Sequence, residues 1–545
     1  MKKSIKFMAA AILGFAAIAC SSPEKMAEQA ENVIVKCEPA VLEVVAGEIN
    51  ASVTVTYPED YFHPKAILAV TPVIVFEGGE VAMEPFMFQG EKVEDNYQVV
   101  PSEGSTVTKA VKFAYVPGME KCYLELRAVA SHKKDQIDLP TKKVADGANT
   151  TYMLICKKAN LPLKADNYQE VIKQTEEGQV LYQINSSVVR NSQTKSQSVK
   201  DFLAAVEAVK AHERKTLVST DVVAYASPDG KEDQNNKLSD NRSKSAEKAF
   251  NKVTKKNPFG VPVNVVSVGE DWEGFQELVA ASDIEDKDLI IRVLSMYSDP
   301  AVREQEIKNM SQIYKSLAKN VLPELRRARF IANVEFTNYS NEELLKLIEE
   351  NIDVLDETAI LRAATLVKGC DQKVALYKKA VEKFNSANGQ YNLAVTYIMN
   401  DKLAEAKAAL ANCAEDADVK NAKGVVALLE GNNAEAAELF KAAANEAANA
   451  NLAIVDVLNG DYKAAAAKVA GQTGYNAALI ALLNGNTAPA AALECACCPC
   501  VAYLRAIAAA RNGDAEGVKK NLENVKKCEK LAARAEKDIE FAQYK

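Results

Sequence analysis

The period of the hydrophobic pattern changes twice along this chain, and the changes divide it. Between residues 33 and 155 apolar positions come in short β-branched or aromatic-rich runs, at 41–45, 51–57, 66–76, 110–116 and 122–130. Pro58, Gly78, Gly79, Pro101, Gly104, Pro117 and Gly118 separate the runs, which therefore read as strands joined by turns. Strands of this length and spacing predict an all-β sandwich, immunoglobulin-like in size, over residues 33–156. Nothing in it resembles a site, and fold-level analogy gives it the role of a spacer or docking module.

A polar stretch at 157–170 then reads as a linker, after which strand and helix patterns alternate to about residue 339. Residues 180–189 predict a strand and 199–210 a helix. Residues 222–225 predict a second strand, which runs into the turn Pro228-Asp229-Gly230 and a long helical segment. A third strand is expected at 263–268 and a last one at 330–336, with a helical insertion at 273–325 between them. The single tryptophan, Trp272, opens the insertion and is expected to pack its helix onto the sheet. This alternation predicts an α/β domain over 157–339.

From residue 340 to 545 the spacing is helical throughout, and the composition shifts to Ala, Glu, Lys, Leu and Asn. Turn residues recur at Asn400, Gly431, Gly460, Gly485 and Gly513, each followed by a small polar residue suited to cap a helix and then by an Ala-rich helix. The intervals are 31, 29, 25 and 28 residues. This all-α helical repeat array resembles degenerate, trimmed tetratricopeptide repeats, whose usual period is about 34. Stacked helix pairs bury a continuous core and leave a concave face, the usual place for a protein partner.

Composition and charge narrow the function classes. The formal net charge of −8 argues against a nucleic-acid partner, which demands a basic face. At the N-terminus, Lys2 and Lys3 precede an apolar run over 8–18 and small residues before Cys20. That is the pattern of an export signal over residues 1–19, and its end resembles a bacterial lipobox. The resemblance implies cleavage before Cys20 and lipidation of that residue, with 20–32 as a flexible lipidated tether. No later run is apolar for long enough to span a membrane.

Ten cysteines remain besides Cys20, three of them in the first region and seven in the last, so they do not pair off within regions and some thiols are expected to be free. The densest group is Cys495, Cys497, Cys498 and Cys500. On a helix Cys495 and Cys498 share one face and Cys497 and Cys500 another, so one ion cannot take all four. Packing or an incidental disulfide is the expected role, ahead of a metal or a redox pair.

Asn235, Leu238, Ser239 and Arg242, in the order N-x-x-L-S-x-x-R after a strand and a Gly-containing turn, resemble the signature of the OmpA-like peptidoglycan-binding domain. The run at 180–189 also resembles that family's first strand. In the family, an Asp after the second strand and the Arg of the helix hold the amine and carboxylate of diaminopimelate in the cell-wall peptide. Arg242 matches the Arg, whereas the Asp position falls on Ser227, with the nearest carboxylate at Asp229. The implied peptidoglycan-binding residues are Arg242, Asp229, Ser227 and Asn235. A helix N-terminus and a planar guanidinium both suit a carboxylate.

No phosphate-loop, nucleophile-elbow or zinc-protease motif occurs, and the histidines, His63, His132 and His212, are scattered. The expectation is therefore a non-enzymatic outer-membrane lipoprotein without cofactor or metal, facing the periplasm. It would bind the peptidoglycan stem peptide non-covalently and scaffold an envelope complex through its repeat groove. The alternative is a pure protein-interaction scaffold of surface or secretion machinery whose OmpA-like domain has lost its ligand.

Overall fold

The computed structural model describes residues 22–284, 287–495 and 498–544. Cys20, the export signal and Cys497 lie outside the described residues. The chain forms two compact units, one comprising residues up to Lys164 together with Asn385–Lys545, the other Ala165–Phe384. These units cut across the sequence boundaries at both ends of the α/β region. The helices Asn341–Glu350, Glu357–Leu366 and Cys370–Phe384, read from sequence as the start of the repeats, group with the α/β body. An ion pair of Arg214 Nη2 with Glu343 Oε1, 2.7 Å apart, is one of the ties that hold them there.

In the first unit the β region forms a continuous 11-stranded sheet made of two groups of strands. Glu48–Tyr57 pairs antiparallel with Ile34–Glu38 and with Ser105–Ala114. Ile67–Phe76 pairs antiparallel with Cys122–His132, which pairs in turn with Lys142–Asn149. A parallel pairing of Val41–Val45 with Lys142–Asn149 joins the groups. The period-two pattern does the work here: alternate residues of Glu48–Tyr57, among them Ile49, Val53 and Tyr57, turn inward, and the Tyr57 and Phe88 ring centroids from the two groups stand 5.8 Å apart. Residues 20–32, expected to be a flexible tether, depart from that reading where they are described. Pro23–Glu28 is a short helix, Ala30–Asn32 is a 3-10 turn, and Met26 and Ala30 are buried.

The same unit contains the helical array as pairs, Ala387–Met399 with Leu403–Ala411, Ala417–Leu429 with Asn433–Ala443, Glu446–Leu458 with Tyr462–Lys468, Tyr475–Leu483 with Ala488–Ala491, and Pro499–Arg511 with Ala515–Val525. Asp401, Gly431, Gly460, Gly485 and Gly513 make the turns within the pairs with positive φ. Small residues let the helices approach closely, as at Gly424, where an added Cβ would stand 2.5 Å from the Phe440 ring. Side chains tie the array to the β region: Tyr475 Oη donates to Leu154 O at 3.1 Å, Asn149 Nδ2 to Glu540 Oε1 at 2.8 Å, and Arg534 Nη2 to Thr150 O at 2.8 Å.

The second unit is a four-stranded mixed sheet in the order Val171–Leu181, Arg327–Thr337, Lys215–Ala226, Val263–Glu270. The first three are antiparallel neighbours and the last pairs in parallel with Lys215–Ala226. The first strand therefore begins at Val171, directly after the stretch read as linker and nine residues before residue 180, and ends at Leu181, well short of residue 189. Helices Gln197–Ala211 and Glu232–Thr254 cover one face, burying Phe202, Val206 and Phe250 against Val180, Val222 and Phe330. The insertion folds as helices with a core of their own, Phe275, Val279, Ile290, Leu317 and Leu325 among them. The Trp272 ring packs against that second core rather than the sheet, 5.7 Å from Phe275 between ring centroids, while its Nε1 bonds Glu270 at the end of the parallel strand.

Gly424→Leu should force the Phe440 ring aside and cost the first unit about 1–3 kcal/mol. Urea denaturation, followed with probes in each unit because a two-unit chain need not unfold in one step, should show that loss in the first unit and an unmoved transition for Ala165–Phe384.

Candidate functional site

The motif resembling the OmpA-like signature lies on the helix Glu232–Thr254. Asn235, Ser239, Arg242 and Ala246 are spaced four, three and four residues apart, so they share one helical face, and all four are buried. That face is turned to the sheet, and its polar residues bond what the sheet leaves open. Asn235 Nδ2 donates to Ser227 O at 3.1 Å and to Glu270 Oε1 at 2.8 Å, closing the strand-to-helix turn against the end of the parallel strand. Ser239 Oγ accepts from Gly269 N at 3.0 Å and meets Ser267 Oγ.

Arg242 is fully buried. Its Nη1 donates to Tyr225 O at 2.8 Å, its Nε to Ser186 O at 3.0 Å and its Nη2 to Gln183 O at 3.4 Å, and the guanidinium stands 4.9 Å from the Tyr182 ring centroid. Burial pushes its pKa down to about 10. The guanidinium thus serves the irregular segment after the first strand and the end of the second strand, which would otherwise leave buried carbonyls unpaired.

Ser227 and Asp229 do come together with the motif. Ser227 Oγ donates to Asp229 Oδ1 at 2.6 Å, and the other carboxylate oxygen accepts from Arg326 Nη2 at 3.1 Å. This ion pair is largely shielded, with the Arg326 and Asp229 side chains 14% and 17% exposed, and Arg326 Nε is buried without a hydrogen-bond partner. Sequence reasoning missed Arg326, which lies 97 residues from Asp229, and Glu270. Glu270 also accepts from Trp272 Nε1 at 2.9 Å, and burial raises its carboxyl above the usual range. Neither had a signal in the sequence, because long-range strand pairing places both.

The cysteine group does not lie on one helix. Cys495 precedes the helix Pro499–Arg511, Cys498 is that helix's N-cap and Cys500 is in its first turn. Desolvation and the neighbouring Cys498, Cys528 and Cys156 thiols push the Cys500 thiol up, the opposite of what a nucleophile or metal ligand needs. Among the described residues no three His, Cys, Asp or Glu side chains are placed to hold a metal ion. Nor is any described helix long and apolar enough to cross a membrane.

A second polar constellation lies in the first unit, along the helical array. The segment 156–164, which apart from Cys156 falls in the stretch read from sequence as linker, runs across the first helices of four successive pairs. Asn476 both accepts from Cys156 N at 2.9 Å and donates to Cys156 O at 2.8 Å. Asn451 and Asn421 each donate to Asn160 O, at 3.0 and 2.9 Å. Asn392 accepts from Lys164 N at 2.8 Å and donates to Lys164 O at 3.0 Å. Lys164 Nζ also bridges Asp416 and Asp418, and Lys158 Nζ reaches Asp401 at 2.7 Å. A signal existed for this site: Asn392, Asn451 and Asn476 each stand nine residues before a positive-φ turn residue, and Asn421 ten.

No protein-family model and no curated protein matches the chain. Among solved structures, the chain is similar at 19% identity to YrrB, described as a TPR protein with an unusual peptide-binding site. That match covers 36% of this chain and 100% of the other, with a TM-score of 0.20.

Arg242→Met keeps the apolar stem but orphans three carbonyls, at about 1–3 kcal/mol for each one left buried and unsatisfied. It should destabilise the α/β unit in urea, and Arg242→Lys should not restore the loss because an ammonium lacks the planar fork. Because the folded state holds the Glu270 proton more tightly than the unfolded chain does, its contribution to stability falls as pH rises from the ordinary glutamate range through the raised folded value. Glu270→Gln should flatten that part of the pH dependence of the unit's denaturation midpoint.

Proposed function

We propose that the chain is a lipid-anchored scaffold of a bacterial outer membrane, held by an acylated Cys20 and facing the periplasm. In this reading the β-sandwich, immunoglobulin-like in size, is a spacer. The α/β body is OmpA-like in type but does not take the cell-wall peptide, and the tetratricopeptide-like array serves envelope or secretion proteins without catalysis or a cofactor. The observation that carries it is the state of Arg242. A residue that is to grip a ligand carboxylate must offer free donors, and Arg242 is fully buried with its guanidinium donating to three backbone carbonyls. The anion that would face an amine, Asp229, is already paired with Arg326.

A second reading, non-covalent binding of the peptidoglycan stem peptide, is favoured by one feature. The buried Arg326 Nε has no partner and lies beside the turn that also carries Ser227, so a ligand carboxylate would find a donor at Arg326 rather than at Arg242.

Sedimentation with purified cell-wall sacculi separates the two. On the scaffold reading the detergent-solubilised mature chain stays in the supernatant. Cosedimentation that free stem peptide displaces would sink it. Arg326→Gln would then weaken binding by about tenfold or more, the equivalent of one hydrogen bond to a charged group. The anchor is tested independently: Cys20→Ser should leave the membrane fraction and take up no fatty-acid label, and a variant that stays labelled and membrane-bound refutes lipidation at Cys20.

A further inference from the structure

The four asparagines of the array hold the segment chiefly by its backbone, with one side-chain contact, Asn160 Nδ2 donating to Asn451 Oδ1 at 3.1 Å. Asn392 and Asn476 each take both the N–H and the C=O of one residue, and Asn421 and Asn451 converge on a single carbonyl. Asn392, Asn421 and Asn451 are buried, and Asn451 Nδ2 also donates to Asn421 Oδ1 at 2.9 Å, so these last two amides orient each other. Their attachment points, Cys156, Asn160 and Lys164, are spaced four residues apart and follow successive helix pairs. Side-chain recognition adds a charge pattern, with Lys158 at Asp401 and Lys164 between Asp416 and Asp418. Lys164 Nζ also stands 5.3 Å from the Tyr391 ring centroid.

We propose that the array contains a backbone-reading groove for an extended, lysine-bearing peptide, and that the chain's own residues 156–164 are its resident ligand. The segment then has two roles. It binds the sandwich to the array by continuing directly from residues that are themselves docked on it, such as Leu154 under Tyr475. It also closes the groove to other peptides, because a ligand tethered in cis has a high effective concentration and an external peptide must first displace it. The inference stands whatever the α/β body binds, since none of its residues takes part.

The test uses the full chain and a fluorescent nonapeptide with the sequence of residues 156–164, carrying Cys156→Ser. In the variant Lys158→Glu/Lys164→Glu the tethered segment meets Asp401, Asp416 and Asp418 with like charge, while the asparagines are intact. That variant should bind the nonapeptide at least tenfold more tightly than the wild-type chain, and adding Asn392→Ala and Asn451→Ala should abolish the gain. Equal binding to variant and wild type, or none to the variant, overturns the proposal. A measurement on the unmodified chain guards against a folding failure. The amides of Cys156 and Lys164 should exchange hydrogen as slowly as amides inside the array helices, and exchange at the rate of a free peptide overturns resident binding.

Discussion

Backbone that leaves helix or sheet and still lies buried must find partners for its N–H and C=O groups, and water is not there to supply them. Each unit of this chain faces that demand where a segment without regular structure crosses a packed surface. In the α/β unit the loop after Leu181 passes over the helix Glu232–Thr254, and Arg242 gathers the Gln183, Ser186 and Tyr225 carbonyls. In the first unit residues 156–164 cross the array, and asparagines take their backbone groups. Without these side chains the α/β unit would hold orphaned carbonyls, and the β region and array would lose a tie between them.

The two solutions differ in chemistry for a physical reason. At Arg242 only acceptors need partners, and a guanidinium, which has donors alone, serves three of them from one point. Along the strap both N–H and C=O need partners, and a primary amide, which both donates and accepts, matches a peptide group. The charged group carries a desolvation cost, visible in its lowered pKa, which the carbonyl dipoles and the Tyr182 face offset. The neutral amides avoid that cost, so asparagine can recur from one helix pair to the next.

The same reasoning bears on the motif that resembles the OmpA-like signature. Asn235, Ser239 and Arg242 each have a structural use in joining helix to sheet, so their presence together is accounted for without a ligand. Asp229, the carboxylate that follows Ser227, is oriented by Ser227 and neutralised by Arg326. A motif of this kind reports the fold it stabilises first, and binding depends on which donors remain unpaired once the fold is made.

The sequence by itself determined the local elements, because the period of burial is local: inward residues of Glu48–Tyr57 alternate, those of Glu232–Thr254 recur every three or four, and the array's turns fall at residues that tolerate positive φ. It also placed Ser227, Asp229, Asn235 and Arg242 near one turn, since a strand, a short turn and a helix bring them together over a few residues. Tertiary structure alone decided the rest. Arg326 reaches Asp229 only because the last strand pairs beside the second, and Trp272 joins the insertion's core only because the insertion has a core. Residues 157–164 look like a linker in sequence because a segment held chiefly by its backbone, with two lysines for side-chain contacts, has no hydrophobic pattern to mark it. The asparagines that recognise it are spread over 84 residues and become one site only when the helix pairs stack.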